Sequence, residues 1–263
     1  MGGAILAGLL KAGFAAENIS VSTRTEISAL KHRDELGVNA FALETSASAN
    51  AQAVAQADVV LIGVKPAYVT EVLREVAEAL LPNALIISVA AGITNASMEA
   101  AVPASVAVIR SMPNTPAIVG RAVTGIAKGA RANDANLQTA TELFETVGKV
   151  IVLDESKIDA LSSISGSGPA YVFYLIEQLT AAAKHHGFTD EESALMVHET
   201  FLGAAELLVD SGKTPEALRK QVTSPNGTTE RAIARMAEAK LDEMFVEATE
   251  LAVKRAKELA AGA

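Results

Sequence analysis

The sequence predicts an α/β domain over residues 1–153 followed by an all-helical domain over residues 154–263. Three observations predict it. Up to "KVIVLDES", short apolar β-rich runs alternate with stretches of helical spacing. Beyond that point, long segments rich in Ala, Glu, Leu and Lys are broken only at glycine- or proline-bearing turns. A chain of 263 residues is long enough for two domains of ordinary size.

The elements follow in order. "MGGAILAGLLKAGF" reads as an amphipathic helix that opens on a glycine pair, with Gly3 and Ala7 as small residues that let it lie close to a sheet. "NISVS", "VNAFAL", "ADVVLIGV", "ALIISVAA" and "SVAVIR" read as strands, each bounded by polar or turn residues. "PAYVTEVLREVAEALL" reads as a helix whose Pro66 suits a first helical position. Continuous apolar strands with helices between them imply a parallel sheet covered on both faces. In the second domain, the breaks are "SGSGPA", "HHGFTDEE", "DSGKTPEA" and "SPNGTTE". The helices between them, including "AYVFYLIEQLTAAAKHHG" and "SALMVHETFLGAAELLVDSG", carry wide apolar faces, which implies burial against another subunit.

Composition removes several classes of function. The formal charge is −9 and no block of lysines or arginines occurs, which argues against nucleic acid and against an anionic membrane surface as partners. Tryptophan is absent, so a stacking surface for single strands is not expected. Cysteine is absent, and the four histidines show no metal-ligand spacing, so no metal site is expected. His185, His186 and Gly187 read as a helix end, where an imidazolium complements the helix dipole. The apolar runs fall far short of the roughly 20 residues of a membrane helix. No charged and then apolar leader opens the chain, so a soluble cytoplasmic protein is expected.

The glycine pair suggests a nucleotide. In a dinucleotide-binding fold, a strand leads through G-x-G-x-x-G into a helix whose N-terminus faces the pyrophosphate. Gly2 fits the last glycine of that pattern, although a helix packed through small residues explains the pair equally well. The next strand ends in Ser22, Thr23 and Arg24, with no acidic residue to bind a ribose 2′-hydroxyl. Hydroxyls and a guanidinium suit a 2′-phosphate, so NADPH is the expected cofactor, with NADH as the second choice. The bland reading of these three residues is a polar turn with a solvated arginine. Two further strand ends, Lys65-Pro66 and Ala90-Ala91-Gly92, fall at the carboxyl edge where open α/β sheets bind ligands.

These segments resemble the pyrroline-5-carboxylate reductases, and the resemblance spans essentially the whole chain. It is carried by "MGGAILAGLLKAG", by Gly63-Val64-Lys65-Pro66, by "RSMPNTPAIVG" and by "LSSISGSGPAYVF". Its most specific part is "VTSPNGTTERAI", Val222 to Ile233, which is similar to the family signature. Two departures stand out. The family pattern opens with a strand and two earlier glycines that this sequence does not contain, so the resemblance implies a Rossmann-like domain with its first strand missing. Asn226 stands where glycine is commoner, a mild change because asparagine tolerates left-handed backbone.

The resemblance implies reduction of pyrroline-5-carboxylate to L-proline by hydride transfer from NADPH, the last step of proline biosynthesis. It also implies cofactor contacts at Gly2, Gly3, Ser22, Thr23 and Arg24, at Asn50 beside the adenosine, and at Val64, Lys65, Pro66, Ala90, Ala91 and Gly92. Asn114 would lie near the nicotinamide, and Gln221 would touch the cofactor as it does in some relatives. Taken alone, Asn50 reads as a helix cap and Lys65 as a solvated strand-end charge. The implied assembly is an intertwined homodimer made by the helical domains, with decamers known in the family, and with the active site between one subunit's cofactor domain and its partner's signature loop.

The signature loop has its own chemistry. Proline and glycine enforce a turn into a helix whose first backbone N–H groups form an anion site suited to a carboxylate, although a helix capped by the threonines of "TTE" is the bland reading. Thr229 is the candidate catalytic residue, hydrogen-bonding the imine nitrogen. Backbone at Gly227, Thr228 and Thr229 would hold the carboxylate, and Ser224 and Asn226 would shape the loop or touch substrate. A cyclic imine is readily protonated, so no strong general acid is required and positioning dominates. A β-hydroxyacid dehydrogenase is the nearest rival, but its glycine-flanked catalytic lysine and following asparagine are not evident. A non-catalytic NADP-binding protein and a reductase of another cyclic imine, such as piperideine carboxylate, also fit this pattern of residues.

Overall fold

The computed structural model describes residues 1–260, which pack as two compact units. One comprises Met1–Ser167 together with the end of the last helix from Ala252, the other Gly168–Leu251. The division falls at Ser167 rather than at the change of composition near 153. The reason is local: the short helix α7 (Ile158–Leu161) and the π-helical turn Ser162–Gly166 that follows it belong with the sheet, α7 lying against its strands.

Seven strands form two sheets. β1 (Ser20–Thr23) and β2 (Asn39–Ala42) make a parallel pair. β3 (Val59–Ile62), β4 (Leu85–Ser88), β5 (Ala107–Met112), β6 (Ala122–Lys128) and β7 (Gly148–Val152) make the second sheet in that order. All five strands expected from the sequence form, and β6 and β7 add to them. The expectation of one parallel sheet needs correction. β1 and β3 do not pair, and β5 and β6 run antiparallel. The link between β5 and β6 explains the reversal: it holds only a tight turn, Thr115–Val119, ended by Gly120 at φ 70°. A parallel crossover requires a dozen residues or more.

Both faces of the larger sheet are covered, as the apolar strands imply. Leu85, Ile87, Ala107 and Ile109 point to one side, where they meet Ile5 of α1 (Gly2–Lys11) and Ala140 and Phe144 of α6 (Asp134–Glu145). Val60, Ile62, Ile86 and Val108 point to the other, against Leu73 and Val76 of α4 (Val69–Val76) and Met98 of α5 (Asn95–Glu99). This is the period-two alternation of strands filled from both sides. α2 (Glu26–Leu36) and α3 (Ala49–Val54) enclose the β1–β2 pair. The small residue that brings α1 close is Gly8, where a Cβ would collide with Val147 and lie 3.2 Å from the Thr146 carbonyl oxygen. Gly3 and Ala7, expected in that role, are exposed, because the buried stripe of α1 runs through Ile5 and Leu6.

The second unit holds α8 (Gly168–His185), α9 (Asp190–Ser211), α10 (Pro215–Gln221), α11 (Thr228–Ala237) and the greater part of α12 (Leu241–Ala260). Each start has a sequence cause. Thr189 and Glu192 form a reciprocal capping box on α9, and Thr214 caps α10 ahead of Pro215. α8 ends at the two histidines, and Gly187 follows at φ 91°. Val197 is the one buried hydrophobic residue of this unit among the described residues.

Candidate active site

In the first unit, the helix that opens the chain and the carboxyl end of β3 come together. α1 begins at Gly2 without a side-chain cap. A Cβ placed on Gly63, just past β3, would lie 4.0 Å from the Gly2 Cα. Apart from the neighbouring residues and the backbone of α1 itself, no atom of the described residues lies within 4 Å of where a Cβ would stand on Gly2 or Gly3. Backbone N–H groups at the start of a helix are the groups that receive a phosphate in dinucleotide-binding folds.

The other candidate residues lie at strand ends. Val64, Lys65 and Pro66 are exposed after β3, and Pro66 opens a short 3₁₀ turn ahead of α4, as its position in the sequence implies. After β4, Ala90 is buried with its N–H on Ser88 Oγ at 3.2 Å, Ala91 is exposed, and Gly92 turns the chain at φ 76°. That positive φ is the conformation for which glycine is needed. Asn95, two residues on from Ile93, is buried, and its N–H donates to Glu155 Oε1 at 2.7 Å.

At the end of β1, Ser22 and Thr23 are half-buried and Arg24 is exposed. Among the described residues Arg24 makes no ion pair, so its guanidinium is available to an anion. The Thr23 hydroxyl donates to backbone carbonyls, with Thr25 O at 3.0 Å and Phe41 O at 3.3 Å. Asn50 does not cap a helix. It lies inside α3, whose N-cap is Ser48, and its side chain joins two other elements. Its Oδ1 accepts from Ser22 Oγ at 2.5 Å, and its Nδ2 donates to both carboxylate oxygens of Glu75 at 3.1 Å. Glu75, on α4, is a residue that sequence reasoning missed. A glutamate inside an amphipathic helix looks like a solvated face, and nothing local reports a contact with residue 50.

Asn114 is buried at the end of β5, and its amide is committed at both ends. Nδ2 donates to the Ser165 carbonyl at 2.9 Å, and Oδ1 accepts from Val123 N at 3.0 Å. Its side chain therefore ties the turn after β5 to β6 and to the π-helical turn. Beneath it, Arg110, 4% exposed, pairs with Asp159 at 2.5 Å and Glu155 at 3.6 Å. Breaking such a buried pair by removing one partner leaves a charge uncompensated.

The signature loop lies in the second unit. Gln221 is the exposed last residue of α10. The chain then turns with Gly227 N donating to Ser224 O at 3.0 Å and with Asn226 at φ 60°, the left-handed conformation that asparagine tolerates. Glu230 Oε2 accepts from Asn226 N at 2.8 Å and holds the loop from within the helix. The threonine cap does not form. Gly227 is the N-cap of α11, no side chain caps it, and Thr228 and Thr229 are its first two helical residues. The first-turn N–H groups thus have no side-chain acceptor, and the Thr229 hydroxyl stands on the same turn.

Comparison with known proteins fits both halves. The chain is 36% identical over 262 residues to the pyrroline-5-carboxylate reductase of Corynebacterium melassecola, covering 98% of this chain and 95% of the relative. The chain belongs to the pyrroline-5-carboxylate reductase family. Residues 155–259 match the family described as "Pyrroline-5-carboxylate reductase dimerisation", and residues 1–92 match that described as "NADP oxidoreductase coenzyme F420-dependent". A solved pyrroline-5-carboxylate reductase of Coxiella burnetii superposes with a TM-score of 0.91 at 34% identity, covering 98% of this chain and 94% of that one. The Plasmodium falciparum pyrroline carboxylate reductase, solved with NADP bound, shares the fold at a TM-score of 0.83 and 24% identity, covering 99% and 94%.

Proposed function

We propose that this family member reduces pyrroline-5-carboxylate to L-proline with NADPH, at a site made by one subunit's cofactor domain and its partner's signature loop. The observation that carries the reading is the N-terminus of α11 at Thr228, which no side chain caps and which bears the Thr229 hydroxyl on its first turn. The donor set suits the cofactor. Gly2 and Gly3 offer backbone N–H groups to the pyrophosphate, Arg24 offers a guanidinium to the 2′-phosphate, and Val64 to Pro66 and Ala90 to Gly92 line the strand ends. The backbone near Asn114 would flank the nicotinamide, and Gln221 would stand at the cofactor's edge. When bound, the reduced nicotinamide supplies the hydride.

The chain's own residues bind and orient the imine. Backbone N–H groups of Thr228 and Thr229, with the turn at Ser224, Asn226 and Gly227, hold the substrate carboxylate at the positive end of α11. The Thr229 hydroxyl is hydrogen-bonded to the imine nitrogen and fixes which ring face is presented. A protonated imine is already electrophilic, so orientation of two bound reactants supplies most of the rate. The assembly is an intertwined homodimer, with a decamer as the higher form, and the enzyme works in the cytoplasm. The change of composition near 153 marks the start of the dimerising segment.

Thr229→Ala tests the assignment. Turnover should fall by about ten- to a hundredfold, the loss of one hydrogen bond made at the reacting atoms. NADPH affinity, measured by fluorescence titration, should stay within twofold. Equal losses in turnover and cofactor affinity would contradict the assignment and make Thr229 a residue of the fold.

A further inference from the structure

Ser22, Asn50 and Glu75 bring the end of β1, the first turn of α3 and the last turn of α4 into one hydrogen-bonded chain. The direction of every bond in it is fixed by chemistry. An ionised carboxylate only accepts, so Glu75 must face the Asn50 amide nitrogen. The Asn50 carbonyl oxygen is thereby turned to Ser22, and it too only accepts. The Ser22 hydroxyl has a single proton, which it gives to Asn50 over 2.5 Å. What Ser22 has left to offer a ligand is lone pairs. Thr23 is in the same condition, since its proton goes to the Thr25 and Phe41 carbonyls.

This bears on the group at the cofactor's ribose 2′ position. A 2′-hydroxyl can donate to Ser22. A 2′-phosphate is an acceptor and requires Ser22 to turn its proton away from Asn50. Arg24 pulls the other way, towards phosphate. We propose that Glu75 is a specificity-determining residue: by fixing the Asn50 amide it holds Ser22 as an acceptor, which admits NADH and restrains the preference for NADPH. Glu75 acts through Asn50 and Ser22 and is a positioning residue, and the inference rests on the assignment of Ser22, Thr23 and Arg24 to the ribose end of the cofactor.

Glu75→Gln removes the constraint, because a glutamine can both donate and accept and so lets the Asn50 amide flip. Fluorescence titration of the full chain with NADPH and with NADH gives the ratio of the two dissociation constants. Glu75→Gln should shift that ratio towards NADPH by about three- to tenfold, the worth of one hydrogen bond gained. In a Ser22→Ala background the same substitution should move the ratio by less than about twofold, because the acceptor it reorients then has no partner. An unchanged ratio in Glu75→Gln would overturn the relay. A shift of equal size in both backgrounds would overturn it too, leaving only the charge of Glu75. Arg24→Ala tests the reading beneath it: NADPH should weaken about tenfold or more with NADH little moved. If both nucleotides bind the Arg24→Ala chain as they bind the parent, the ribose assignment is wrong and the relay falls with it.

Discussion

In the sheet unit, Leu73, Ile86 and Phe144 are fully enclosed in clusters that fill both faces of the strands, whereas in the helical unit Phe173 is 61% exposed, Leu195 65% and Leu251 68%. The helices of that unit are well formed, with capping boxes and proline starts, yet among the described residues Val197 is the one hydrophobic side chain it buries. Local signals can start a helix, but packing of an apolar face is what stabilises it. The sheet unit supplies that packing from its own residues. The helical unit leaves Phe173, Leu195 and Leu251 at its surface, and its match to a dimerisation family over residues 155–259 supports self-association.

The largest effect is expected at Phe144, where Phe144→Ala should cost about 3 to 5 kcal/mol in urea unfolding, through lost burial and the cavity left behind. A cost below about 1 kcal/mol would mean that the sheet unit also depends on a partner to complete its core. Next in size, Phe173→Glu should weaken self-association about thirtyfold or more, seen as a shift towards monomer in sedimentation velocity, because it places a charge on an apolar interface. An unchanged association constant would show that the copy-to-copy contact lies on another face.

The smallest effect sharpens the comparison by moving neither unit. The Lys128 ammonium, hydrogen-bonded at 2.8 Å, holds the Asp134 carboxyl below its ordinary 3.8, first by that bond and then by its charge. A carboxyl with a lowered folded-state pKa stabilises the fold above its unfolded pKa, and that contribution is lost as pH falls through the folded value. Asp134 is exposed, so Asp134→Asn should lower the melting temperature only slightly at pH 7 and not at all well below pH 3. An equal loss at both pH values would assign the effect to the start of α6 instead.

Much of the fold is legible in the sequence because the strands obey period two and the helix starts carry caps. What is not legible is non-local. β6 is hidden because Thr124 and Gly125 interrupt its apolar run, yet Thr124 is fully buried, and a Cβ on Gly125 would crowd Leu161. The glycine of close approach is Gly8 rather than Gly3, a matter of helix phase that only the position of Val147 decides. In the site, the strand-end residues can be found because an α/β sheet presents its carboxyl edge to ligands. The partners of Asn50 cannot, since Ser22 and Glu75 stand 28 and 25 residues away from it. The signature turn is legible in its left-handed Asn226, but its helix is capped by the bare backbone of Gly227 and not by a threonine.

The decisive measurement adds pyrroline-5-carboxylate to the purified chain with NADPH, follows absorbance at the reduced nicotinamide band, and quantifies the proline formed. The expected result is substrate-dependent NADPH oxidation with one proline per NADPH consumed. A folded chain that binds NADPH but shows no oxidation on adding pyrroline-5-carboxylate, or oxidation without proline, would contradict it.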